Sequence, residues 1–321
     1  MSTFRIEVVP VKLEPHPNAD SLSIVKVFGF TCCVRTESWV GVEKAAYVPP
    51  DSIVDTTRPE FSFLGDKTRV KAMRLRGVSS FGLLAPVPDH CQIGDDVTEL
   101  LGVTHYDPPE IFSPGGEAER PPEGYHPSYD VESGRRWDRL FSPGELVHVT
   151  CKIHGSSGRF YWDKENSRFH CGSRNEWKKE ESGAMWWRIL NQTPELQGFL
   201  RNNPDITVYG EVYGQVQDLK YGQTGIKLAV FDLLRGSTWI DQEEARELGK
   251  NLPWVPEIAR NFPFDAEKIS TMAEGKSLIP GADHMREGVV VRPMKERTCN
   301  EIGRVITKYV GVDYLSRKER K

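Results

Sequence analysis

The sequence predicts a two-domain α+β chain: a small β-barrel first, then a larger domain that mixes strands and helices. Three observations carry that reading. Short apolar runs broken by Gly and Pro recur from residue 4 to residue 86, a spacing suited to a small barrel. Tyr106 to Pro127 is crowded with Pro and Gly and has no periodicity, as a linker would. Beyond it, β-rich runs alternate with helical stretches, and 321 residues are enough to bury two cores. The expected boundaries are 1–105 for the barrel, 106–124 for the linker and 125–321 for the second domain.

Within the barrel, residues 4–12 read as a strand and Pro15-His16-Pro17-Asn18-Ala19-Asp20 as a rigid turn. Leu22 to Phe30 alternates like a second strand, Ala45 to Val48 makes a third, and others are expected in Val70–Val78 and Phe81–Pro86. Lys67, Arg69, Lys71, Arg74 and Arg76 form a dense basic run. On a strand, Lys67, Arg69 and Lys71 would share one face, which suits tracking a nucleic-acid backbone. A solvated edge strand that uses charge to resist aggregation would look the same.

In the second domain, Glu145 to Thr150 is β-rich, so Lys152 should lie on a strand, with Thr150 and His154 on its face and Cys151 and Ile153 on the other. Gly155 then lets the chain turn. A lysine beside such a turn can act as a nucleophile toward a phosphate if its neighbours make it neutral. Thr207–Gly214 is a short strand carrying Glu211 between two glycines. Glu287 stands at the mouth of a buried strand that runs to Arg292, and Arg304–Val310 is a strand with Lys308 in phase with Ile306. Two lysines and two carboxylates on strands could surround a triphosphate and its metal, because Mg²⁺ takes oxygen ligands and keeps several waters. A cationic lysine would balance charge on the α-phosphate as pyrophosphate leaves. Residues 241–250 and 255–261 look helical, and Met185–Leu190, with its two tryptophans, reads as a helix packed on the sheet.

Taken in order, Lys152-Ile153-His154-Gly155, Ser173-Arg174-Asn175, Tyr209-Gly210-Glu211, Phe231-Asp232, Glu287-Gly288-Val289-Val290 and Lys308 resemble the motifs of covalent nucleotidyltransferases. That superfamily holds the ATP-dependent RNA and DNA ligases and the mRNA capping enzymes, and the histidine and the Ser-Arg-Asn look most like the RNA ligases. The resemblance spans roughly residues 125 to 316. His16–Asp20 and Leu75–Leu84 in turn resemble the OB-fold domains of tRNA-binding modules. Most DNA ligases carry their OB domain after the last motif. Here it comes first, and Val310 to Lys321 are expected to be too few for another domain, so the chain resembles the Deinococcus-type RNA ligases. The fold this implies is an OB-like β-barrel followed by an adenylyltransferase domain of antiparallel sheets with flanking helices.

The resemblance also implies roles. Lys152 would attack ATP and hold AMP as a phosphoramide, with Mg²⁺ or Mn²⁺ as the metal. Ile153, His154 and Gly155 would belong to the loop around the nucleotide, and Arg174 would contact the ribose or the nick phosphates. Glu211 would hold a ribose hydroxyl, Phe231 would stack on adenine, Glu287 would support the metal, and Lys308 would reach the α-phosphate. The implied partner is a nicked duplex with an RNA 3′-OH strand, sealed by a monomer. Two positions depart from the pattern: Ile306 stands where a lysine is common, and Ser157 where some RNA ligases have Asn. Plainer roles also fit these residue types: Phe231 as a core residue, Arg174 as a surface partner of Glu176 or Glu180, and His154 as a turn residue.

The net charge of −4 does not advertise nucleic-acid binding, but the acids cluster elsewhere, as in Asp241–Glu247, while Lys67–Arg76 and Arg317–Lys321 are basic. Cys32, Cys33, Cys91, Cys151, Cys171 and Cys299 show no paired zinc spacing. With no signal peptide and no long apolar run, the expectation is reduced thiols in a cytoplasmic protein away from membranes. Two other functions compete. A GTP-dependent capping-type guanylyltransferase would usually add a C-terminal OB domain. A catalytically inactive RNA-binding protein would form no covalent adduct.

Overall fold

The computed structural model describes residues 4–106 and 117–317, and the chain divides into two units, 1–110 and 111–321. Within the stretch expected as a linker, Ala118–Glu119 forms a short edge strand of the second unit, and residues 107–116 lie outside the described residues. So does the basic tail beyond Arg317.

The first unit is built from β1 (Glu7–Pro10), β2 (Leu22–Val27), β3 (Phe30–Arg35), β4 (Lys44–Val48), β5 (Met73–Leu75), β6 (Val78–Ser80) and β7 (Leu83–Ala85). β4 lies between β1 and β7, antiparallel to both. Both faces of this small sheet are covered: Val8, Ala46 and Ala85 enter one core cluster, while Val9, Ala45, Tyr47 and Leu84 enter another. A strand buried on both sides reads as a continuous apolar run, as Ala45–Val48 does. The run expected as one strand over Val70–Val78 is instead a hairpin, because Arg76 and Gly77 both take positive φ (46° and 89°) and turn β5 back as β6. The Pro-rich turn braces it: the Asn18 side-chain amide donates to the Arg76 carbonyl at 2.9 Å.

Besides a short two-stranded sheet, Thr298–Cys299 against Gly303–Arg304, the second unit holds two large sheets among the described residues. One has seven strands: Ala118–Glu119, Trp177–Lys178, β10 (Arg168–Gly172), β9 (Ser156–Asp163), β11 (Ile206–Gly214), β12 (Ile226–Arg235) and Thr238–Trp239, in that spatial order. The other has five: Glu132–Ser133, β15 (Thr307–Val310), β14 (Gly288–Pro293), β8 (Leu146–Lys152) and β13 (Glu257–Pro263). All neighbours are antiparallel except Glu132–Ser133 against β15. Helices α1 (Met185–Gln192) and α2 (Pro194–Asn202) bury Trp186, Trp187, Leu196 and Leu200 against Phe160, Val208 and Val212 of the seven-stranded sheet. Alternation along β9 and β11 then turns Ser157, Arg159, Tyr209 and Glu211 to the face without helices.

Gln242–Leu248 is helical as expected. The segment 255–261 is not a helix: β13 pairs along β8, and His148 hydrogen-bonds to Glu257. Its short apolar pattern fits either period, and the open backbone edge of β8 decides it. The expected strand Arg304–Val310 is broken, since Val305 and Ile306 turn into the core between Gly303–Arg304 and β15. No described helix is long and apolar enough to cross a membrane.

Candidate active site

Lys152 ends β8, and the chain passes through Ile153-His154-Gly155 into β9, so the lysine stands where one sheet hands over to the other. The turn is tight. A Cβ on Gly155 would lie 2.3 Å from the Val212 carbonyl oxygen and 3.0 Å from the Glu211 side chain. Register sets Lys152 opposite Gly288, whose own Cβ would meet the Tyr309 carbonyl oxygen at 2.1 Å. Glycine at both places lets strands from the two sheets close around one point.

At that point Lys152 Nζ lies 2.8 Å from Glu287 Oε1. Glu287 is only 7% exposed, and its Oε2 is buried with no hydrogen-bond partner among the described residues. Burial alone would lower the lysine pKa, but Glu287 and then Glu211 outweigh it and raise it. Lys152 is therefore an ammonium in the ligand-free protein, whereas the sequence argument required a neutral amine. The difference has a plain cause: Glu287, expected to serve the metal, pairs directly with the lysine when the nucleotide is absent. Lys308 moves the other way, lowered by burial and by repulsion from Lys152, against Glu287, Glu132 and Asp130. Glu287 is held below its ordinary range: burial opposes this, but Lys152 and His154 prevail. Burial, with help from Glu287, pushes Glu211 up to about 8, although Lys152 and the Gly155 N–H favour its ionised form.

His154 is fixed from three sides. Its backbone N–H donates to the Tyr221 hydroxyl at 2.6 Å, Nε2 lies 2.7 Å from Asp218 Oδ1, and Nδ1 lies 2.9 Å from the Tyr314 hydroxyl. Arg317 pairs with the same Asp218 and covers the Tyr314 ring. Burial lowers the His154 pKa, and Glu287 and Asp218 oppose the change. Ile153 packs with Tyr221 and Ala229 in a cluster against which the half-buried Phe231 rests. The Tyr129 ring lies 4.5 Å from Phe231, held by a hydrogen bond from its hydroxyl to Asp232 at 2.6 Å. Asp232 also accepts from Arg292 (2.7 Å) and Arg304 (2.6 Å) in a buried ion cluster.

The structure thus gathers Lys152, His154, Gly155, Glu211, Glu287 and Lys308, with Ile153 and Phe231 in the adjoining apolar cluster. Arg174 stays exposed and meets Asp130 at 3.3 Å rather than Glu176 or Glu180. In the first unit, Lys67, Arg69 and Lys71 do not share a strand. Residues 67–71 form only an isolated bridge at Arg69, whose guanidinium is engaged by Asp51 (2.7 Å) and the Tyr106 ring. Arg74 is exposed on β5, and Arg76 occupies the hairpin turn. Asp218, Tyr221, Tyr314, Arg292 and Arg304 escaped the sequence reading. For Arg292 a signal was present, since a charge closing the apolar run of β14 needs a buried partner.

The donor set suits a hard cation. No group of three metal-ligating side chains occurs among the described residues. The orphaned Glu287 oxygen and nearby Glu211 offer the one or two carboxylates that a phosphate-bound Mg²⁺ or Mn²⁺ needs.

Lysine, paired acids and a second lysine at the seam of two largely antiparallel sheets define a covalent-nucleotidyltransferase type of site. The comparisons agree. Residues 145–310 match the RNA ligase family and residues 5–87 match an OB-fold domain, so the chain belongs to the RNA ligase family. No curated protein matches the chain. Among solved structures it is similar to Naegleria gruberi RNA ligase. A mutant of that enzyme with ATP and Mn is 23% identical, with TM-score 0.80 over 97% of this chain and 98% of that one. An apo mutant is 23% identical, with TM-score 0.81 over 98% of each chain, and a form with pyrophosphate is 24% identical, with TM-score 0.77 over 96% and 97%. At these identities the likeness establishes the fold.

Proposed function

We propose that the protein is an ATP-dependent RNA ligase that seals nicks between an RNA 3′-OH and a 5′-phosphate through AMP carried on Lys152. The observation that carries this reading is the 2.8 Å contact of Lys152 with Glu287 at the end of β8, beside Glu211 and Lys308, in a chain of this family. The Naegleria gruberi enzyme, solved with ATP, AMP and Mn, supports the same nucleotide and metal here.

In the first step Lys152 Nζ forms a bond to the α-phosphorus of ATP, and the bond to pyrophosphate breaks. The amine must first lose the proton that Glu287, in contact with it, helps it hold, so nucleotide binding has to draw that acid away from it. A divalent ion, Mg²⁺ or Mn²⁺, held through Glu287 would neutralise charge on the triphosphate. Lys308 would reach the α-phosphate, Glu211 a ribose hydroxyl, and Phe231, backed by Tyr129, the adenine face. In the second step the lysyl N–P bond breaks as a 5′-phosphate oxygen takes the AMP. In the third, the 3′-OH oxygen attacks that 5′-phosphorus and AMP leaves. Positioning and charge neutralisation carry such phosphoryl transfers. The OB unit, with Lys67, Arg74 and Arg76, would grip the duplex.

The test is a denaturing gel after incubation with α-³²P-ATP or α-³²P-GTP and metal, for wild type and Lys152→Ala. Acid-labile label from ATP on wild type alone is the expected result. Label from GTP would move the reading to capping-type transfer. No label from either, on protein free of pre-bound AMP, would leave a nucleic-acid-binding protein.

A further inference from the structure

A polar cavity of about 270 Å³ shares no lining residue with the lysine cluster. Ala118, Glu119, His126, Arg159, Asn175 and Trp177 contribute to its wall. Arg159 is the unusual member. Only 5% exposed, it donates through Nη1 to the His126 carbonyl at 2.7 Å and lies 4.6 Å from the Trp177 ring centre, while its Nε is buried with no hydrogen-bond partner among the described residues. Among the described residues no carboxylate pairs with it. The acids of the cavity are engaged elsewhere: Glu119 with Arg168 (2.7 Å) and His170 (2.9 Å), and Glu176 with Lys178 (2.6 Å). Burial accordingly lowers the Arg159 pKa, and only Tyr209 opposes it. A guanidinium buried without a counter-ion is costly, and the cost is recovered if an anion arrives.

We infer that the Arg159 cavity binds a phosphate group of a nucleic-acid strand. The guanidinium fork matches phosphate oxygens bidentately. Asn175 of the wall follows the exposed Arg174, which pairs with Asp130 at 3.3 Å. Arg159 pairs with Tyr209, two residues along β9 from Ser157, which pairs with Glu211, so the cavity and the lysine cluster occupy one face of the sheet. On that face the Tyr209 hydroxyl donates to the Pro127 carbonyl at 3.0 Å. The ligase reading enters only in the choice of strand: a nick-sealing enzyme must hold chain beyond the reacting phosphates.

The test measures binding of a labelled, 5′-phosphorylated nicked duplex to wild type, Arg159→Met and Arg159→Gln at several salt concentrations. Either substitution should weaken binding roughly tenfold at moderate salt and lower the salt slope by about one. The thermal midpoint of Arg159→Met should not fall, because the change removes an unpaired buried charge. Unchanged affinity and slope in a folded variant overturn the site. Stabilisation by inorganic phosphate that disappears in the variants, with duplex binding unchanged, assigns the cavity to a small anion and overturns the nucleic-acid assignment. Failure of the wild type to bind the duplex overturns it too. The ligase reading is judged separately, by adduct formation with ATP, which needs no nucleic acid.

Discussion

Replacing Asp232 by Asn should cost the second unit about 3–5 kcal/mol, the usual penalty for stranding a buried charge. Asp232 is fully buried, and its Oδ2 accepts from Arg292, Arg304 and the Tyr129 hydroxyl. Asn keeps the volume but removes the charge. Arg304 would retain Glu296, whereas Arg292, 1% exposed, would be left without an ion pair. For a unit of this size each kcal/mol moves the melting midpoint by roughly 2–4 °C, so a fall on the order of 10 °C is expected in a calorimetric scan. Asp232→Asn with Arg292→Met should recover much of the loss, since the stranded cation goes with its partner. The acid dependence follows from the direction of the shift. Burial would raise the Asp232 pKa, but Arg304 and Arg292 hold it below the ordinary value of 3.8. Its contribution is therefore present above about pH 4 and lost as pH falls through the lower folded value, a loss the Asn variant should not show. A midpoint within about 2 °C of wild type, or a double variant less stable than the single one, would refute the reasoning.

The other predictions concern the lysine cluster. Glu211 is raised from 4.5 to about 8, so the folded protein keeps a proton that the unfolded chain releases, and stability should decline as pH rises between those values. Glu211→Gln should flatten that decline in ligand-free melts, by on the order of a few kcal/mol, while impairing adduct formation; parallel curves would show that Glu211 titrates normally. Gly155→Ala would bring a methyl group within 2.3 Å of the Val212 carbonyl, so labelled adduct should form at least about tenfold more slowly. A wild-type rate would mean that the turn gives way freely.

Much of the site was legible because its chemistry is written locally. A lysine after a β-rich run, a glycine that permits the turn, and acids at strand mouths are features of a few adjacent residues each, and Lys152, Glu211, Glu287 and Lys308 do converge. The failures are also physical. Glu257–Pro263 has no decisive period of its own and becomes a strand because β8 leaves an edge to pair. Lys67–Lys71 looked like a charged strand, yet Asp51 and Tyr106 claim Arg69. Asp218, Tyr314 and Arg317 show no pattern that would link them to His154, which they nonetheless hold in place.

By itself the sequence determined the order of the two units, the strand that carries Lys152, and the residue types that meet at the site. Periodicity, turn chemistry and motif spacing act over a few residues and survive without the rest of the chain. Only the tertiary structure decided the charge states: an ammonium at Lys152, a carboxyl that titrates at about 8 at Glu211, and a buried guanidinium at Arg159 whose Nε has no hydrogen-bond partner among the described residues. Protonation is set by burial and by every charge within a few ångströms, and those neighbours come from strands far apart in the chain.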